Sequence, residues 1–196
     1  MSFAMNISPE PEPQKPRMKG IGFVNVRNYV LEKHGTEPWQ EVLKRLSASD
    51  KHEVEAAVAV GWYDVSHFAQ LLRTVDEVCG RGDLRLLEKV GAFEAEQDFN
   101  RVLRVFLRVM SPAYIFKAEA RLWSHFQDTG TWNSVKVHGG VNATLQGWAV
   151  DAALCRELSG YLVKVVEFTG GRNVSVEHNT CRALGDSRCM FEYRWL

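Results

Sequence analysis

Three observations predict an α+β fold in which a helical N-terminal part packs with a small mostly antiparallel sheet. Apolar residues recur at helical spacing from Ile21 to about Phe126, and beyond Gly130 the pattern changes to short alternating runs around a single further helix. The 196 residues, 45% of them apolar, suffice to bury one core without disulfide staples. Four of the six prolines, Pro9, Pro11, Pro13 and Pro16, fall within the first 17 residues among Glu, Gln and Lys, so residues 1–17 are expected to be a solvated, disordered tail. A single domain is expected over 18–196, mainly helical over 18–130 and β-β-α-β-β over 131–196.

Phe23, Val26, Tyr29 and Val30 make the first helical stripe, which ends at Gly35. Thr36 then caps a second helix with Pro38 in its first turn and Trp39, Val42, Leu43 and Leu46 on one face. After Gly61-Trp62-Tyr63-Asp64, a third stripe of Phe68, Leu71, Leu72, Val75 and Cys79 stops at Gly80-Arg81-Gly82. Asp83 opens a fourth through Leu84, Leu87 and Val90, Phe99 to Met110 make a fifth, and Ser111-Pro112 starts a sixth that runs up to Gly130. Trp132, Val135 and Val137 read as a strand, Gly139-Gly140 as a turn, and Ala143, Leu145 and Trp148 as a second strand. Asp151 caps a helix carrying Leu154, Cys155, Leu158, Leu162, Val165 and Val166, ended by Gly170-Gly171. Two more strands alternate through Val174, Val176 and His178, and through Cys189, Phe191, Tyr193 and Trp195.

The 24 basic residues balance the 24 acidic ones, which disfavours nucleic-acid binding, and no apolar run is long enough for a membrane span. The first residues have neither a basic nor an apolar signal-peptide region, so a cytoplasmic protein with reduced thiols is expected. In that setting Cys155, His178, Cys181 and Cys189 are the densest chemical signal. His178 and Cys181 stand at one strand end, Arg182 to Asp186 can turn the chain back to Cys189, and Cys155 in the first turns of the preceding helix can reach the same end of the sheet. Three thiolates and an imidazole suit tetrahedral zinc, whereas the spacing taken alone is also compatible with cysteines serving as small core residues.

The stretch Cys155-Arg156-Glu157-Leu158-Ser159-Gly160-Tyr161, with Glu177 to Phe191, resembles the 4-vinyl reductase (4VR) domain, especially the form found in the sensory part of aromatic-responsive transcription activators. The resemblance implies a structural zinc on Cys155, Cys181 and Cys189, with His178 in the place of an acidic ligand. Lys19 to Phe23, Glu32 to Gly35, Trp39, Tyr63-Asp64 and Leu87 to Gly91 are similar to the opening of haem-nitric-oxide-binding (HNOB) domains, which share a distant architecture with 4VR domains and transport-protein-particle (TRAPP) subunits. Those domains hold haem propionates with a Tyr-x-Ser-x-Arg signature that does not occur here, so no haem is expected.

Phe99, Phe106, Phe116 and Trp123 are candidates for lining an apolar ligand pocket, although helical spacing also fits ordinary core. Arg101, Arg104 and Arg108 read as a solvated helix face. His34 and His125 stand where imidazoles meet helix C-termini. A nucleophile elbow, a phosphate-cradling loop, an H-E-x-x-H pair and a Rossmann fingerprint are all missing. The expectation is therefore a non-enzymatic sensory or regulatory module that binds a small apolar or aromatic ligand or a signalling partner, with zinc as a staple. The alternative is a TRAPP-like dimeric interaction scaffold without a ligand. Homodimerisation follows from the resemblance only.

Overall fold

The computed structural model describes residues 15–99, 101–148 and 151–196. The tail expected over 1–17 lies outside these residues as far as position 14. From Lys15 onward the chain is engaged: Lys15 pairs with Asp64 at 3.7 Å and the Pro16 carbonyl accepts from Val65 N–H.

Among the described residues there are eight α-helices and two antiparallel sheets, which is the predicted α+β class. A two-stranded sheet, β1 (Arg17–Lys19) with β2 (Trp62–Asp64), closes over the start of α1 (Ile21–Lys33). The helices α2 (Thr36–Arg45), α3 (Ala48–Ala56) and α4 (Val65–Cys79) follow. Next come α5 (Leu86–Asp98), α6 (Arg101–Leu107) and α7 (Pro112–Phe126). The strands β3 (Thr131–Val137) and β4 (Gly140–Gln146) form a hairpin, and α8 (Ala152–Phe168) leads to β5 (Ser175–Thr180) and β6 (Arg188–Arg194). The four strands lie in the order β3-β4-β6-β5, antiparallel throughout, so β3 and β5 are the two edges.

Local chemistry sets several of these boundaries. Ser47, Asp64, Ser111 and Asp151 each accept a backbone N–H in the first turn of the helix that follows, and Pro112 fills a position whose missing N–H costs nothing. Trp148, expected on the second strand, lies just beyond β4 and is buried there. One core runs from Met18 through helices and sheet to Tyr193, and a smaller cluster joins Ala95, Leu107, Ile115 and Val165.

The helices α5 and α8 meet backbone to backbone. A Cβ on Gly91 would lie 1.9 Å from the Glu157 carbonyl oxygen, and one on Gly160 would lie 1.9 Å from that of Glu88. Only glycine fits at either point of this crossing. A second tie links α4 to the start of α8, where Arg73 donates to both Asp151 oxygens at 2.9 and 2.7 Å while Asp151 caps the helix.

Candidate metal centre

The start of α8 and the neighbouring ends of β5 and β6 bring the four sequence-predicted ligands together. Cys155 lies in the first turns of α8, capped by Asp151, with its side chain turned to the sheet and buried. Cys189 opens β6 opposite Leu145 of β4 and is fully buried. His178 faces Phe191 across the β5–β6 pair, and its ring stacks on that of Phe191 at 4.3 Å and 7°. A register irregularity between His178 and Thr180 leads to Cys181, which starts a 3-10 turn over Arg182–Leu184. Gly185, at φ 100°, closes that turn, and Asp186 accepts from Cys181 N–H at 2.8 Å. The chain thereby doubles back so that both thiols point to one place.

The ligand atoms of Cys155, His178, Cys181 and Cys189 all lie within 4.8 Å of one another. The Cys155 sulfur is 3.8 Å from that of Cys181 and 3.8 Å from that of Cys189. Zinc–sulfur bonds of about 2.3 Å directed to tetrahedral corners place two sulfurs about 3.75 Å apart, so the observed spacing is that of a tetrahedron edge. The His178 Nε2 is buried without a hydrogen-bond partner, a state that a bound cation relieves. The donor set is soft and complete at four, leaving no position for water or substrate, as in structural zinc sites. Cys79, on α4, stands apart from the cluster.

Electrostatics differ sharply among the thiols. The hydrogen bond between the Cys155 and Cys189 sulfurs pulls the Cys189 thiol below the usual thiol range against the opposing effect of burial, helped by the His178 ring and by Arg182 N–H at 3.5 Å. The same hydrogen bond, with burial, pushes Cys155 upward, and desolvation raises Cys181. One thiolate is thus stabilised by its neighbours, while three together need a cation between them.

The four aromatic pocket candidates are divided among different places. Phe116 and Trp123 are buried between α7 and the sheet, where Phe116 stacks on Trp132 and Trp195 and Trp123 on Trp132. Phe99 packs on Phe168 in the smaller cluster, and Phe106 is 59% exposed. Two shallow clefts of about 250 Å³ each lie elsewhere, one lined by Arg85, Lys89, Gly160 and Lys164, the other by Pro16, Val65, Ala69 and Leu154.

Sequence reasoning missed a buried acidic group beside the helix crossing. Glu94 and Asp98 on α5 face Glu157 and Tyr161 on α8, and Asp98 accepts from Asn25 Nδ2 at 2.9 Å and from the Tyr161 hydroxyl at 3.1 Å. Desolvation, then the Asp98 charge, pushes Glu157 up to about 8, and desolvation alone raises Glu119 of α7 to about 7. Carboxyls three and four apart on helices otherwise read as a solvated face, so the only signal was their place beside Gly91 and Gly160. Glu119 favours its neutral form in the folded state, whereas in the unfolded chain it ionises near 4.5. Its contribution to stability is therefore full below about pH 4.5 and is lost as pH rises to about 7. Glu119→Gln is expected to flatten the fall in melting temperature between pH 5 and pH 8, read by thermal denaturation; an unchanged slope counts against the assignment.

These features define the class, an α+β domain whose C-terminal sheet is tied to its last helix by a buried Cys/His cluster. No known protein-family profile matches the chain, and no curated protein matches it in sequence. Solved structures do share the fold. An H-NOX protein from S. oneidensis in the Fe(II)NO ligation state has 16% identity and a TM-score of 0.71, over 91% of this chain and 99% of that one. The Fe(II) unliganded H-NOX protein from K. algicida has 16% identity and a TM-score of 0.66, over 91% and 97%. A protein studied for haem redox potential tuned by porphyrin distortion has 14% identity and a TM-score of 0.61, over 91% and 100%.

These neighbours overturn the expectation that no haem is bound. Proteins of this fold include haem proteins, so a missing Tyr-x-Ser-x-Arg triplet is no ground for excluding haem from the chain. A metal ion fits the Cys/His cluster.

Proposed function

We propose that this chain is a non-enzymatic sensory or regulatory module on the H-NOX fold, with a structural zinc held by Cys155, His178, Cys181 and Cys189. The observation that carries the metal is the convergence of four ligand atoms within 4.8 Å, three of them on buried cysteines. The sensory part of the reading is supported by the fold shared with H-NOX proteins, in whose structures small ligands are bound to iron. A small apolar molecule or a protein partner is the proposed input. The closed ligand set supports a staple and gives a reaction no open coordination site.

Elemental analysis of the purified protein, with thiols counted under denaturing conditions, tests the metal. About one zinc per chain with four titratable thiols is expected; metal-free protein with four free thiols overturns the site. An absorption spectrum of the same sample reads haem independently. A melting temperature that rises with the concentration of a small aromatic compound supports the sensor. The interaction-scaffold reading is favoured by the exposed apolar residues on α6 and α7, and an invariant melting temperature across such compounds would support it.

A further inference from the structure

Seven of the fourteen exposed large apolar residues among those described fall between Leu103 and Phe126, far more than scattered surface exposure produces. Phe106 is 59% exposed, Val109 84% and Tyr114 54%. On α7, Tyr114, Ala118, Leu122 and Phe126 recur every four residues, which places them along one side of the helix. Leu107 and Ile115 lie in one buried cluster, so α6 and α7 each turn an inward face to the same core, and the exposed apolar residues run from α6 through the following turn into α7.

The charge of this stretch is equally one-sided. Between positions 101 and 126 stand Arg101, Arg104, Arg108, Lys117 and Arg121, with Glu119 as the sole acidic residue. Arg104 is used internally, donating to the Phe99 and Glu96 carbonyls and lying 4.5 Å over the Phe168 ring. Arg108, Lys117 and Arg121 take part in no ion pair among the described residues. An apolar stripe flanked by unpaired cations is half of a complementary interface.

We infer that the exposed surface running from α6 through the 108–111 turn along α7 is a docking surface for an acidic amphipathic segment of a partner protein, with apolar side chains meeting Phe106, Val109, Tyr114 and Leu122 and carboxylates meeting Arg108, Lys117 and Arg121. Charge complementarity selects this occupant. A second copy of the chain would bring the same cations face to face. An anionic bilayer would attract the face but repel the remainder of the molecule, which carries four more acidic than basic residues. A protein segment meets only the local charge. The inference supplies the partner that the regulatory reading calls for, and its failure would leave the zinc content untouched.

The test uses the full chain and a fluorescein-labelled helical peptide of about 18 residues with leucine along one stripe and glutamate beside it, read by anisotropy. Saturable binding that weakens with salt is expected, with a loss of about tenfold or more in Val109→Glu and in Arg121→Glu, both at unchanged melting temperature. Equal binding of a peptide with lysine in place of glutamate would overturn the inference, and so would binding to phosphatidylserine vesicles without binding to the peptide. Concentration-dependent dimerisation abolished by Val109→Glu would assign the face to a second copy instead. Binding that appears only after deletion of residues 1–14 would assign it to the chain's own Pro- and Glu-rich segment, and would likewise overturn it.

Discussion

Cys189→Ser is expected to release the metal and to lower the melting temperature by roughly 10 °C, the shift that a loss of about 4 kcal/mol produces in a chain of this size. The serine oxygen is a poorer ligand for a borderline-soft ion, and two remaining thiols and an imidazole then surround a site they cannot close. Cys181→Ser is expected to behave alike. Cys79→Ser serves as the control, because Cys79 lies outside the cluster and its loss removes only a partly buried sulfur on α4. A strong chelator acting on the unsubstituted protein should reproduce the Cys189→Ser shift. Metal content equal in all three variants would remove the site.

Gly160→Ala is the second large effect. The added methyl carbon would lie 1.9 Å from the Glu88 carbonyl oxygen, which belongs to a helix backbone and cannot rotate away, so α5 and α8 must separate along their contact. Overpacking of this kind costs about 3 kcal/mol. The sign is informative, since alanine is intrinsically the better helix former by about 1 kcal/mol, and local preference alone predicts stabilisation. Chemical denaturation of Gly160→Ala beside Gly91→Ala, which meets the Glu157 carbonyl in the same way, reads the effect. Either variant at unchanged or increased stability would show that the two backbones are not in contact.

The parts of the fold carried by regular periodicity were legible in the sequence, and the parts carried by one or two residues were not. Val26, Val42, Leu72 and Leu162, each on the apolar stripe of a different helix, lie in the core as expected. The helix α3 escaped notice because Val54 is its single buried residue, so its amphipathic signal is faint and its start is marked only by Ser47 accepting from Asp50 N–H. The strands β1 and β2 have three residues each, too few for alternation to show. The four Cys/His positions could be read because their spacing places them at element ends that meet across one hairpin-like return. The division of Phe99, Phe106, Phe116 and Trp123 among separate surroundings could not, since helical spacing gives the face of a helix but not what lies opposite. The approach of Gly91 to Gly160 is a contact between residues far apart in the chain, and nothing local announces it.

The edge strand β5 alternates only between exposed and half-buried positions, so burial sets its alignment on β6 weakly. A slip by one residue would turn His178 away from the thiols and break its stacking on Phe191, at little cost in apolar burial along the rest of the strand. With the proposed zinc in place, that slipped arrangement forfeits a ligand. The metal would then work as a ratchet pawl during folding, letting the last hairpin find its alignment and locking it once, and it would keep an otherwise open sheet edge from sliding toward foreign strands.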